Sequence, residues 1–303
     1  MRIALAGDTM LGRGVAEELK CAAPESLFSE ELAAITRAAD LFILNLECCI
    51  STRGTPWPQP GKPFYFRAPP EAVQALEYLG VDCVTLANNH ALDFGYEALL
   101  DTFDYLSAAG IRWVGAGRDL AEARARVTLE SGDEVLAVLG LTDHPADYAA
   151  GEGLPGVAFA DLRRRVPEWL TDSIPSAGGS PLLVLVHWGP NMNPDPLDYV
   201  RSAASRFVRA GAALIAGHSA HVFQRVGHRV LYDLGDFIDD YATDPVLRND
   251  LGLLWLIDLE GGNPLGLKAV PLKLDYCRTA LAKGEDAEWI ARRLGSTARM
   301  GDK

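Results

Sequence analysis

Short apolar runs recur along the chain, and most of them close on a polar residue. Ile3–Ala6 closes on Gly7-Asp8, Leu41–Leu46 on Glu47, Val81–Ala87 on Asn88-Asn89-His90, Pro181–Val186 on His187, and Ala212–Ala216 on Gly217-His218. Runs this short and this apolar predict strands buried on both faces. Between them lie segments with helical spacing: 28–39, 70–79 with Pro70 in its first turn, Tyr96–Ala109 stopped by Gly110, an Arg-rich stretch at 161–172, and Leu197–Ala210. Ile111–Val114 reads as a further short strand, and Val127–Leu129 with Val135–Leu141 as a hairpin around Ser131-Gly132-Asp133. Val222–Val226 with Arg229–Leu234, then Leu253–Leu259 and Leu267–Leu274, give the last strands, and a polar helix follows from about Ala280.

Strands alternating with helices predict an α/β architecture. With no repeat and no linker in view, one domain over 1–303 is expected: a core of about 1–260 and a C-terminal strand/helix extension, 261–303. Residues 51–69 break the alternation, because TRGTPWPQPGKP is too rich in Pro and Gly for either element. A loop of that length in a compact domain is often a binding element.

The polar residues that close the strands carry the chemistry. In an α/β sheet the C-terminal strand ends lie along one edge. Asp8, Glu47, Asn89-His90, His187 and His218 would therefore meet there. Any one alone is as well explained as a cap or a loop hydrogen bond; five together favour a site. Carboxylates, an amide and imidazoles suit a divalent ion such as Mn²⁺, Zn²⁺, Fe²⁺ or Ca²⁺, and the lack of thiolate ligands argues against structural zinc.

Composition narrows the partners. The chain of 303 residues has a net charge of −13 and a pI near 4.9, a balance that repels nucleic acid and anionic membranes. No apolar stretch is long enough to span a bilayer and no signal peptide is recognisable, so a cytoplasmic protein is expected. Five scattered cysteines without a CxxC indicate free thiols.

The motifs Gly7-Asp8-Thr-Met-Leu-Gly-Arg13, Asn45-Leu-Glu47, Asn88-Asn89-His90-Ala-Leu-Asp93-Phe-Gly95, His187-Trp188-Gly189, Gly217-His218-Ser-Ala-His221-Val-Phe-Gln224 and Leu234-Gly235-Asp236-Phe237 resemble, in order, those of the CapA family. These are bacterial capsule and poly-γ-glutamate synthesis proteins, related to calcineurin-like metallophosphoesterases. The resemblance covers about residues 1–260 and implies a four-layer α/β/β/α sandwich of metallophosphatase type, with a metal site at one sheet edge. The departures bear on mechanism. Met10 stands where the phosphoesterases carry a histidine, Asn45-Leu-Glu47 replaces a bridging Asp motif, and His218-Ser-Ala-His221 is one residue longer than Gly-His-x-His. A mononuclear site, or one weakly held ion, fits better than a two-metal phosphodiesterase. The segment Tyr232–Tyr241 further resembles a soluble branch that includes the peptide epimerase of lasso-peptide biosynthesis.

The resemblance implies Asp8, Asn89, His187 and His218 as metal ligands, with Glu47 and His221 as ligand or base. It implies His90 as the general acid or base, with Asp93 orienting it. On the residues alone, Lys62 and Arg67 are candidates to meet a substrate carboxylate, Trp57, Tyr65 and Phe66 to clamp a peptide, Trp188 to wall the pocket, and Asp236, Asp239 and Asp240 to bind an amine, tune a histidine or serve as caps. Cys48-Cys49 would be either a thiol base or buried filler, His144 a further site member, His228 a solvated turn residue, and Arg163–Arg165 an exposed helix face. The function implied is a metal-dependent isomerase that inverts Cα of the C-terminal residue of a ribosomal precursor peptide, with no organic cofactor and with a leader-peptide-binding protein as partner. The alternatives are a CapA-like enzyme acting on an amide in poly-γ-glutamate or capsule biosynthesis, a metallophosphoesterase, and a non-catalytic binding module.

Overall fold

The computed structural model describes residues 1–58, 60–174, 179–261 and 263–295; Gln59 of the Pro-rich loop and the end of the expected C-terminal helix, 296–303, lie outside the described residues. Two sheets form its centre. The first, in spatial order, is β14 (Arg278–Leu281), β13 (Asn263–Asp275), β12 (Leu251–Glu260), β1 (Arg2–Thr9), β2 (Leu41–Leu46), β3 (Cys83–Thr85) and β4 (Arg112–Val114), with β11 (Asp236–Ile238) also pairing β1. The second is β9 (Val226–Gly227), β10 (Val230–Leu231), β8 (Leu214–His218), β7 (Leu182–His187), β6 (Glu134–Thr142) and β5 (Val127–Ser131). β1, β2, β3 and β4 run parallel, as do β6, β7, β8 and β10, while β12 turns antiparallel against β1.

The period-two alternation of strand side chains builds three layers of core. On β1 and β2, Ile3, Leu5, Leu41 and Ile43, with Trp255 of the neighbouring β12, face the second sheet and share a core with its Leu183, Leu185 and Leu214. Their neighbours Ala4, Ala6, Phe42 and Leu44 face outward onto helices α1 (Arg13–Cys21), α2 (Glu30–Arg37), α3 (Ala72–Leu79) and α4 (Gly95–Ala108). On β7, Val184 and Val186 point the other way, onto Val200, Ala204 and Phe207 of α5 (Asp198–Ala210). These three cores separate four layers, α/β/β/α, as the motifs implied. No helix among the described residues is long and apolar enough to cross a membrane.

Several elements differ from the sequence pattern. Helix α1 was not expected; Gly12 and Gly14 hide its start, yet Val15, Ala16 and Leu19 form its buried stripe. The Arg-rich stretch is helical only at Glu168–Asp172, because Pro167 sits at the N-cap and admits no helix before it. Val222–Val226 and Arg229–Leu234 pair over only two residues each. The chain past Ala280 ends β14 first, and the last helix, α6, spans Gly284–Gly295.

Close backbone approach fixes the site end of β1. A Cβ on Gly7 would lie 1.8 Å from the carbonyl oxygen of Gly235. Gly7→Ala should therefore cost roughly 1–3 kcal/mol or more of stability, as overpacking does, and displace Asp8. A melting temperature equal to wild type would contradict this.

Candidate metal and acid–base site

The site begins with a bulge. The register of β1 against β2 and β11 shifts around Asp8, near the C-terminal end of the strand. Asp8 is buried; Oδ1 accepts from Asn45 Nδ2 at 2.7 Å and Oδ2 from the Ser219 amide at 3.1 Å. His218 Nδ1 stands 3.3 Å from Oδ1 and His221 Nδ1 3.4 Å from Oδ2. Burial alone would raise the Asp8 pKa, but His218, His221 and His187 outweigh it and hold the carboxyl below its usual range.

Glu47 follows β2 and is completely buried, with neither carboxylate oxygen bonded. His187 Nε2 and His221 Nδ1 each lie 3.9 Å from it. Burial, reinforced by Asp8, lifts its pKa well above the carboxylate range. His187 and His218 end adjacent strands β7 and β8 in register. Both are buried; Nδ1 of His187 and both nitrogens of His218 lack hydrogen-bond partners, as does Oδ1 of Asn89. Burial pushes His187 well below the imidazole range. His221 is the contrary case: burial opposes its proton, but Asp236, Glu47 and Asp8 prevail and raise its pKa. Its Nδ1 meets Asp236 Oδ1 at 2.8 Å, and Asp8, His221 and Asp236 each offer a ligand atom within 4.8 Å of the others. Buried polar atoms without partners are costly unless something pairs them. Their oxygen and nitrogen chemistry fits a divalent cation, which would also restore charge to Glu47.

A second cluster adjoins the first. His90 Nδ1 lies 2.6 Å from Asp93 Oδ2, which also accepts the Phe66 amide at 2.6 Å. Asp93 Oδ1 takes Lys62 Nζ at 2.7 Å and the Tyr148 hydroxyl at 2.9 Å. The Phe66 ring stacks on His90 with centroids 3.8 Å apart. The Pro-rich loop is thus fastened onto this cluster by Lys62, Phe66 and the Trp57 amide, which donates to the Asp93 carbonyl at 2.8 Å. Burial drives the His90 pKa down to about 4, against the pull of Asp93. With Nδ1–H committed to Asp93, Nε2 is left as the basic atom.

Other expected residues stand elsewhere. Trp188 does not wall the pocket: it faces the outer core with α5, and its indole donates to the Tyr232 carbonyl at 2.9 Å. Arg67 is held over the Phe94 ring at 4.1 Å and donates to the Arg53 carbonyl at 2.9 Å, so its head group serves the loop. Asp240 accepts the Gly14 amide at 2.8 Å, in the first turn of α1, and Asp239 accepts the Tyr241 amide at 2.8 Å. Cys48 and Cys49 are buried, and burial pushes the Cys48 thiol up to about 12, which disqualifies it as a base near neutrality. His144 binds Asp143 and brings its ring within 5.2 Å of that of His187. His228 is exposed in a turn. Asn45, Asn88, Tyr148 and Asp233 had been given no role. Asn88 Nδ2 donates to Asn45 Oδ1 at 3.0 Å, fixing the amide that holds Asp8, and Asp233 accepts the Ala220 amide at 2.9 Å. A polar side chain inside an otherwise apolar strand, as at Asn45, was the available signal.

Residues 2–241 match the family model described as bacterial capsule synthesis protein PGA_cap. The chain belongs to this family. It is 33% identical over 294 residues to a probable polyglutamine synthesis accessory protein of Mycobacterium tuberculosis, covering 90% of this chain and 76% of that one. It is 31% identical over 303 residues to the PGA biosynthesis protein CapA of Bacillus subtilis, covering 93% and 78%. Among solved structures it resembles a hypothetical protein of Thermus thermophilus, with a TM-score of 0.51, 17% identity and coverage of 90% and 99%. It also resembles a phosphatase of Mycoplasma pneumoniae, with a TM-score of 0.50, 12% identity and coverage of 90% and 93%. At such identities the likeness is one of fold alone.

The His90 environment has a direct readout. A nitrogen-detected NMR titration should show a neutral ring carrying its proton on Nδ1 at pH 5 and charging only near pH 4. A midpoint near the ordinary value of about 6.5 would contradict the assignment.

Proposed function

We propose that this protein is a metal-dependent enzyme of glutamyl-polymer biosynthesis that acts on an amide bond of a carboxylated peptide. The observation that carries the reading is the group of buried, unpartnered oxygen and nitrogen atoms on Glu47, Asn89, His187 and His218, set beside the His90–Asp93 pair. Those four residues, with Asp8 adjoining, would hold the ion; Asp8 is already satisfied by Asn45 and Ser219. A bound divalent ion supplies a Lewis acid for the substrate carbonyl. His90 Nε2, neutral and backed by Asp93, takes a proton from the attacking water. His221, kept protonated beside Asp236, gives one to the leaving nitrogen. Two imidazoles pushed to opposite protonation states are the pairing that acid–base chemistry requires. The names of the polyglutamine and PGA relatives support a glutamate-derived polymer as the substrate class.

A specific observation also favours a second reading, inversion of a peptide Cα as in the lasso-peptide epimerase. His90–Asp93 and His221–Asp236 form two separate proton-handling pairs, which a two-base inversion needs.

One incubation distinguishes the two. The protein is loaded with Mn²⁺ or Zn²⁺, mixed with a γ-linked oligoglutamate in D₂O, and followed by mass spectrometry. Shorter fragments are expected, with His90→Ala slowing their release by about 10²–10⁴-fold. A one-dalton gain in uncleaved peptide would establish inversion instead. An unchanged peptide with every metal would sink both readings.

A further inference from the structure

Arg13 stands beside this site, over the rings that pack on His90 and His221. It closes the Asp8 motif and holds a left-handed backbone, φ 49°, a conformation uncommon outside glycine. Its guanidinium lies 4.7 Å from the Phe64 ring centroid, 5.8 Å from Phe66 and 6.0 Å from Tyr241. Phe66 is the ring stacked on His90, and Tyr241 meets the His221 ring edge-on at 5.3 Å. Arg13 therefore covers the aromatic walls of both proton-handling histidines. Its side chain is 34% exposed, and its one ion pair among the described residues runs from Nε to Asp240 Oδ2 at 3.3 Å. Two other cations near the site are committed: Lys62 to Asp93, and Arg67 to the Arg53 carbonyl.

We infer that Arg13 binds a free carboxylate of the substrate, next to the bond that reacts, and so selects peptides whose backbone carries carboxylates rather than carboxamides. Asp240 holds the Nε edge of the guanidinium and the rings fix its plane, leaving the terminal nitrogens to form the fork that matches a carboxylate. Phe64, 51% exposed beside it, gives the peptide's methylenes an apolar rest. The inference rests on the proposed substrate class, and its test uses binding so that the two are separable.

Calorimetry with Mn²⁺-loaded protein compares a γ-linked tetraglutamate with the same peptide bearing α-carboxamides. Wild type should favour the carboxylate form by roughly tenfold to a hundredfold, the range for a hydrogen-bonded ion pair. Arg13→Gln should erase the preference, and Arg13→Lys should restore part of it. Equal binding of the two peptides by wild type overturns the inference without recourse to any variant, as does a preference that survives in a folded Arg13→Gln protein. Discrimination without turnover keeps the role of Arg13 and rejects the amide-cleaving reading. Binding of neither peptide rejects both.

Discussion

Asp8, Glu47, Asp93, Asp233 and Asp236 are all buried in one region with His90, His187, His218 and His221. Removing this many ionisable groups from water is the constraint on which the site depends. An ion taken into the interior costs several kcal/mol unless it is paired and hydrogen-bonded. Some of these groups meet the demand within the protein: Asp93 receives four donors, and Asp8 is held by Asn45 and Ser219. Others meet it by shedding charge, as when Asp233 is pushed up to about 8, first by burial and then by Asp8. Glu47, His187 and His218 keep buried oxygens and nitrogens without hydrogen-bond partners, a deficit that a divalent cation would relieve.

The fold imposes this burial because two mixed sheets stack with the C-terminal ends of their parallel strands together. Asp8 and Glu47 come from the first sheet, His187 and His218 from the second. The third contribution, the Asn88–Asp93 segment, is tied to the first sheet through Asn45 and to the Pro-rich loop through Asp93. One hydrogen-bonded segment thus joins the amide that holds Asp8, the His90 ring and the Pro-rich loop.

Much of this was legible in the sequence, for physical reasons. Apolar runs mark buried strands, and a polar residue closing such a run is placed at the sheet edge, so Asp8, Glu47, His187 and His218 were recoverable from pattern alone. The four layers needed the family motifs, because strand periodicity does not tell how many sheets stack. The failures are equally physical. Glycines placed for close packing, Gly12 and Gly14, mask the start of helix α1, and Pro167 cuts short the helical spacing of the Arg-rich stretch. Trp188 neighbours His187 in sequence, but strand alternation sends the two side chains to different faces. Arg67 and Lys62 looked alike as loop cations, and only three-dimensional contacts assign one to the loop and the other to Asp93.

Two neighbouring groups compete for the ion: Glu47, His187 and His218, whose buried ligand atoms lack partners, and Asp8, His221 and Asp236, in which His221 is already bonded to Asp236 Oδ1 while Asp236 Oδ2 is free. Anomalous diffraction from a crystal soaked in Mn²⁺ separates them. If the first group holds the ion, as proposed, a single strong peak lies at coordination distance, about 2.0–2.3 Å, from Glu47, His187 and His218. A peak ligated by Asp236 and His221 without Glu47, or none at the strand ends, would contradict that assignment.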